Sequence, residues 1–227
     1  MDTKYLFYLT LIVSIVIQLV TGIIDIAAFF VKVPLAYSII RELLILELVV
    51  QVFEGMFYFW LAYNFTKVIN VTPKRYMDWV ITTPTMLITL MIYLIFLNKS
   101  VENTTSEMNF VTLLKDNSDV FVPVVLLNWL MLLFGYLGEM QIIPVFLGAF
   151  LGFIPFLLYY YIIYVNYVTE NKNGQFLFWY FFFFWSMYGV VAVLPYYIKN
   201  SFYNILDLFS KNFFGIFLSY MILSGNY

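Results

Sequence analysis

Apolar stretches long enough to cross a bilayer recur along this chain, near residues 4–31, 38–65, 75–97, 119–138, 142–166, 175–198 and 201–224. Each reaches about 20 residues or more, the length a helix needs to span hydrocarbon. A mean hydropathy of +0.92, with 64% hydrophobic and 11% charged residues, excludes a soluble domain. The expected fold class is all-α: one seven-helix transmembrane bundle over residues 1–227, multi-pass in the lipid bilayer. The first segment begins at Lys4 and outruns a signal-peptide core, so it reads as a retained helix.

The chain has no Cys and no His, which removes disulfides, thiolate and imidazole chemistry and the usual soft metal ligands. No metal is expected, and no enzymatic activity. A net charge of −2 without any basic run points away from nucleic acid. Aromatic residues make up 22%, too many for two interfacial belts alone, so part of them should line the bundle interior or a bulky apolar ligand. Orientation is undecided by charge. Lys32, Arg41, Lys99, Lys115 and Lys172 fall on one side, against Lys4, Lys67, Lys74 and Lys199 on the other. The connection Asn98 to Ser118 reads as a spacer in which "FVTLL" forms a hairpin or helical turn. The turn around Pro34 reads as a short interfacial helix.

Ionisable residues inside spanning helices are functional candidates, because hydrocarbon penalises an unpaired charge by several kcal/mol. Segment three carries Arg75 and Asp78, and segment seven carries Asp207 and Lys211. The latter pair stands at i, i+4 on one helical face. Together the four charges sum to zero, which suits either an active cluster or a structural quartet binding the two helices. In "RYMDWVITTPTMLITL", Thr82 stands at i+4 from Asp78 and can bond its carboxylate. Pro84 frees a backbone carbonyl, while Trp79 and Thr83 share a neighbouring face. "FFFFWSMYGV" adds Trp185 and Tyr188 at i, i+3.

Segment two carries Glu42, Glu47 and Glu54. Glu47 and Glu54 lie about 10 Å apart along nearly one face, the way acidic side chains line a cation pathway. Glu42, beside Arg41, is a candidate for a pathway mouth or an interfacial contact.

The motifs "RYMDWVITTP", "WSMYG" and "ILDLFSKNFFG", in this order, resemble those of the microbial (type 1) rhodopsins, and "LMLLFGYLGE" is similar to the fourth helix of proteorhodopsins. The resemblance implies all-trans retinal bound to Lys211 as a protonated Schiff base, with Asp78, Asp207 and Arg75 as the counterion group. It implies a pocket that includes Trp79, Thr82, Thr83, Met131, Gly135, Trp185 and Tyr188, and an extracellular N-terminus with a cytoplasmic C-terminus. Gly189 and Ala192 depart from the family's Pro and Trp, so a looser cavity is expected. Thr89 occupies the position of a pump's proton donor, and no Asp or Glu lies between Phe176 and Asp207.

"DLFSKN" resembles the seventh-helix motif of channelrhodopsins, which implies a gate of Asn212, Glu54 and Ser14. Thr83 and Asn128 stand where those channels pair a Cys with a carboxylate. The closest resemblance is to the group 1 viral rhodopsins of giant algal viruses, regarded as light-gated cation channels. The implied function is a light-gated channel for monovalent cations, Na⁺ and K⁺, in which light moves the Schiff-base proton to a counterion, chiefly Asp78. The alternative is a slow outward proton pump. The oligomeric state is open, a homo-oligomer included.

Overall fold

The computed structural model describes residues 2–101, 105, 108–169 and 172–227. Helices occupy every expected position: α1 (Thr3–Phe29), α2 (Ser38–Asn64), α3 (Thr72–Val101), a short α4 (Phe110–Asp116), α5 (Ser118–Glu139), α6 (Val145–Tyr167), α7 (Lys172–Val191), α8 (Tyr196–Asp207) and α9 (Phe213–Ser224). A π-helical turn, Leu208–Asn212, joins α8 to α9 into one rod. No strand occurs among the described residues. A bilayer leaves the backbone no water to bond, so a helix, which satisfies itself, is the form these sequences take.

Five of these rods are long and apolar enough to cross a membrane: α1, α3 to Ser100, α5, α6 and the joined α8–α9. α2 and α7 are not among them, though they stand at the expected positions of the seven-helix bundle. α2 carries Arg41 and three carboxylates, and α7 opens on a polar stretch, Lys172 to Gln175, and mixes Trp179, Tyr180, Trp185 and Tyr188 with its phenylalanines, which lowers its hydropathy. Both still pack within the bundle.

Local signals set the ends. Asp2 accepts from Lys4 N at 3.1 Å and caps α1. Pro144 and Pro195 precede α6 and α8, and Gly225 closes α9 at φ 69°, the left-handed conformation glycine adopts without strain. The Pro34 turn is only a 3₁₀ turn, Leu35–Tyr37, rather than an interfacial helix. Of the long connection, "FVTLL" becomes α4, while residues 102–104, 106 and 107 lie outside the described residues.

Pro84 leaves the Val80 carbonyl without its helical donor, and the Trp129 indole of α5 donates to it at 3.0 Å. The neighbouring Asn128 donates to Thr83 at 2.7 Å, so two adjacent side chains clamp α5 onto the proline bend. At the π turn, Tyr180 of α7 donates to the Phe209 carbonyl at 2.8 Å.

The bundle has two unlike halves. Around α6 and α7 the interior is aromatic, with Phe156, Tyr159, Tyr160, Phe178 and Phe181 buried together. On α1 the buried face carries the polar residues Thr10, Ser14, Gln18, Thr21 and Asp25, recurring every three or four residues. It meets Glu47, Gln51, Glu54 and Tyr58 of α2 and the polar side of α8–α9.

Candidate functional site

Lys211 sits in the π turn, 3% exposed, at the junction of the two halves. A π turn holds one extra residue, which re-aims its side chains and often marks a functional position. Lys211 Nζ lies 2.5 Å from Asp78 Oδ2 and 3.7 Å from Asp207 Oδ1. Asp207 is heavily bonded: its Oδ2 accepts from Tyr58 at 2.7 Å and from Arg75 at 3.4 Å, and its Oδ1 accepts from Tyr188 at 2.6 Å. Ser210 Oγ lies 2.7 Å from the Tyr188 hydroxyl. Asp78 Oδ1, also buried, has no hydrogen-bond partner among the described residues. The four expected charges are thus together, and the two carboxylates differ: one is saturated with donors and the other is half-open.

Arg75 is fully buried. Its Nε donates to Asn200 Oδ1 at 3.0 Å, and Nη2 donates to the Asn200 carbonyl at 3.3 Å and to Asn204 Oδ1. The guanidinium lies over the rings of Phe57, Tyr203 and Tyr58, with centroids at 5.1, 5.6 and 5.9 Å. It forms an ion pair with Asp207 but none with Asp78. Thr82 is a correction: its hydroxyl donates to the Asp78 backbone carbonyl at 3.0 Å, not to the carboxylate, because a helical Thr reaches the i−4 carbonyl first.

Beside this cluster lies a cavity with about 840 Å³ of empty space, part of it open to the surroundings. Lys211, Trp79, Thr83, Met131, Gly135, Trp185 and Tyr188 all line it, whereas Thr82 does not. Trp79 packs edge-on against Tyr188 and Tyr203, at 5.5 and 5.2 Å. The expected looseness at Gly189 is not found. A Cβ there would come within 2.7 Å of Phe153 Cζ, so the Phe153 ring from α6 occupies the space a larger residue would take.

A family model of bacteriorhodopsin-like proteins matches residues 9–225. The chain belongs to this family. It is a microbial rhodopsin, an integral membrane protein of a family of light-driven photoreceptors and ion transporters. Among solved structures, viral rhodopsin OLPVRII is similar at 30% identity and a TM-score of 0.78, over 99% of each chain. A blue light-absorbing proteorhodopsin from Med12 is similar at 18% identity and a TM-score of 0.73, over 97% of this chain and 98% of its own. The proton pumping rhodopsin AR2 of the marine alga Acetabularia acetabulum is similar at 18% identity and a TM-score of 0.66, over 99% of this chain and 96% of its own. At that identity the last two speak for the fold alone. No curated protein matches.

Within this rhodopsin the expected gate trio does not close on itself. Ser14 Oγ donates to the Asn204 carbonyl at 3.0 Å. Asn212 Nδ2 donates to Thr21 at 2.9 Å and to Gln51 Oε1 at 3.4 Å. Glu54, 1% exposed, stands within electrostatic reach of Lys211, Asp207 and Asp78, but its Oε2 has no protein partner. The reason is register. α1 and α8–α9 run parallel, with partners separated by 190 to 194 residues, which sets Ser14 against Asn204 and leaves Asn212 to Thr21.

Glu47 is buried with neither oxygen bonded, and Thr89, its neighbour, donates instead to the Thr85 carbonyl at 3.1 Å. Glu42 also has a buried oxygen without a partner. Sequence reasoning missed Tyr58, Asn200, Asn204, Thr21, Gln51 and Asp25. The signal was present in segment one, where polar residues at 10, 14, 18, 21 and 25 keep helical spacing in an otherwise apolar run. It also missed the pair Lys199 and Glu139, both buried, which ties α8 to α5. Lys199 is therefore not a loop charge.

Proposed function

We propose that this chain is a light-gated channel for monovalent cations, Na⁺ and K⁺, with retinal held on Lys211 and the N-terminus outside. The observation that carries the channel reading is the polar seam between α1, α2 and α8–α9, in which Glu47 and Glu54 are buried with oxygens that no protein group satisfies. Buried carboxylates are kept in a membrane where water and cations reach them.

The residues present fit retinal. An amine, Lys211, stands in the wall of an otherwise largely apolar cavity, the kind of lining that takes a small apolar ligand. Trp79, Trp185 and Met131 offer flat apolar surface, and Asp78 and Asp207 supply negative charge at the nitrogen. Linked to Lys211 through a protonated Schiff base, retinal supplies light absorption and a photochemical change of shape.

The chain's own groups then divide the work. Lys211 Nζ carries the proton. Three donors already occupy Asp207, whereas Asp78 is nearest and has a free oxygen, so Asp78 accepts it. Neutralising Asp78 breaks the pairing that holds α3 to the π turn. The rungs across the seam, Ser14 to Asn204 and Asn212 to Thr21 and Gln51, take the place of the expected trio as the closed gate. When they part, Glu54 and Glu47 favour cations in the opened path.

Patch-clamp under light, with Na⁺ and K⁺ exchanged across the membrane, tests this reading. The photocurrent should reverse at a voltage that follows the cation gradient, and Glu54→Gln should lower conductance with the pigment intact. Outward current at every voltage would replace the channel with the second reading, a slow outward proton pump. That reading is favoured by the position of Asp78, nearest to Lys211 Nζ and with one oxygen unbonded, as acceptor.

A further inference from the structure

Asp25 of α1 is fully buried and takes part in no ion pair among the described residues. Its Oδ1 accepts from Ser219 of α9 at 2.7 Å and its Oδ2 from Gln51 of α2 at 3.5 Å. The carboxyl lies against the backbone of Gly215. A Cβ at that position would collide with Oδ2 and stand 3.2 Å from Cγ. Gly215 follows Lys211 by one helical turn, as Asp207 precedes it by one. Lys211 is therefore flanked along its own rod by two carboxyl groups, Asp207 on the Asp78 side and Asp25 on the opposite side.

A set of hydrogen bonds leads from Asp25 to Asn212, the residue that follows the lysine. Gln51 Nε2 reaches both Asp25 Oδ2 and, at 3.2 Å, Thr21 Oγ1, which accepts from Asn212 Nδ2 at 2.9 Å. Asn212 adjoins Lys211 in the π turn, and its buried Oδ1 has no protein partner. An unfilled acceptor in a polar buried position is where water is held.

We propose that Asp25 is the carboxyl group that returns a proton to Lys211 Nζ after Asp78 has taken one, filling the role that Thr89 cannot. The inference rests on the reading of Lys211 as a light-dependent proton site. In the step, the O–H bond of Asp25 breaks and an N–H bond forms at Lys211 Nζ, through water ordered by Thr21 Oγ1 and Asn212 Oδ1. Asp25 is left as a carboxylate and recovers its proton from the aqueous phase on its own side. Glu47 is the other carboxyl within electrostatic reach of Asp25. Neither it nor Glu54, the carboxyl within electrostatic reach of Lys211 itself, has a hydrogen bond into this route, which favours Asp25 as the proton source.

The test compares the wild-type chain with Asp25→Asn, both reconstituted with retinal, by time-resolved absorbance of proton loss and recovery at Lys211. Recovery in Asp25→Asn should slow by about 100-fold, become proportional to bulk proton concentration, and speed up with azide, a small weak acid. In the retinal-free proteins, infrared spectra should contain a protonated-carboxyl carbonyl band that Asp25→Asn removes. Unchanged recovery without an azide effect, or slowing by Glu47→Gln in place of Asp25→Asn, overturns the assignment while leaving the pigment reading standing. A wild-type chain that takes no colour overturns that underlying reading, and the proton step with it. Should Asp25→Asn fail to fold, Ser219→Ala removes the 2.7 Å bond with little change of volume. It should shift the carbonyl band and alter recovery, and no change in either would also overturn the proposal.

Discussion

The aromatic half around α6 and α7 and the polar half between α1, α2 and α8–α9 are built from the same kind of apolar segment yet bury opposite chemistry. The first satisfies itself by packing: Phe156, Tyr160, Phe178 and Phe182 lie with ring centroids 4.8 to 6.4 Å apart. The second buries Thr10, Ser14, Gln18, Thr21 and Asp25 against Glu47, Gln51 and Glu54, and leaves several oxygens without protein partners. In a membrane, helices associate by close packing, so an aromatic interior is sufficient for a bundle. A stripe of buried carboxylates is not required for folding and costs free energy, which is the physical ground for proposing function in that half. Lys211 stands where the two halves meet, with the cavity on one side and the seam on the other.

The largest break in this contrast is Lys211→Ala, which removes the junction. No visible absorption should develop when retinal is added, and retained colour would move the attachment to another residue. Next is the tie between halves, the buried pair of Lys199 and Glu139. Lys199→Met strands a buried carboxylate and should cost about 3–5 kcal/mol, read as a lower melting temperature, with most of it recovered in Lys199→Met/Glu139→Leu. A double variant no more stable than the single one would show that the pairing carries none of the effect.

On the polar side, Asp78→Asn should leave a pigment but slow light-driven proton loss from Lys211 by roughly 100-fold. An unchanged rate would hand the acceptor role to Asp207 and erase the difference drawn between the two carboxylates. The smallest expected effect tests the aromatic side. Gly189→Ala drives a methyl into Phe153 and should destabilise by about 1–3 kcal/mol, with partial relief from Phe153→Leu. A neutral Gly189→Ala would mean that the cavity has room to spare.

Much of the site was legible in the sequence because charge in an apolar segment is conspicuous. Arg75, Asp78, Asp207 and Lys211 come together as their neutral sum allows and the rhodopsin resemblance implies, and Asn128 does bond Thr83. Neutral polar residues were less visible. Asn200 and Asn204 hold Arg75, and Tyr58 holds Asp207, but an amide or a phenol in a spanning segment carries no charge to flag it.

The sequence by itself determined the all-α membrane fold, the family and the four-charge cluster, because apolar length, motif order and helical spacing are local properties. Only the tertiary structure decided which partners those groups choose. The parallel register of α1 with α8–α9 gives Ser14 to Asn204 and Asn212 to Thr21, and brings Asp25 onto Gly215. The π turn that re-aims Lys211 and the Phe153 ring that fills the gap at Gly189 were decided in the same way. Hydrogen bonds between helices depend on relative translation and rotation of whole rods, and no spacing within one segment encodes those.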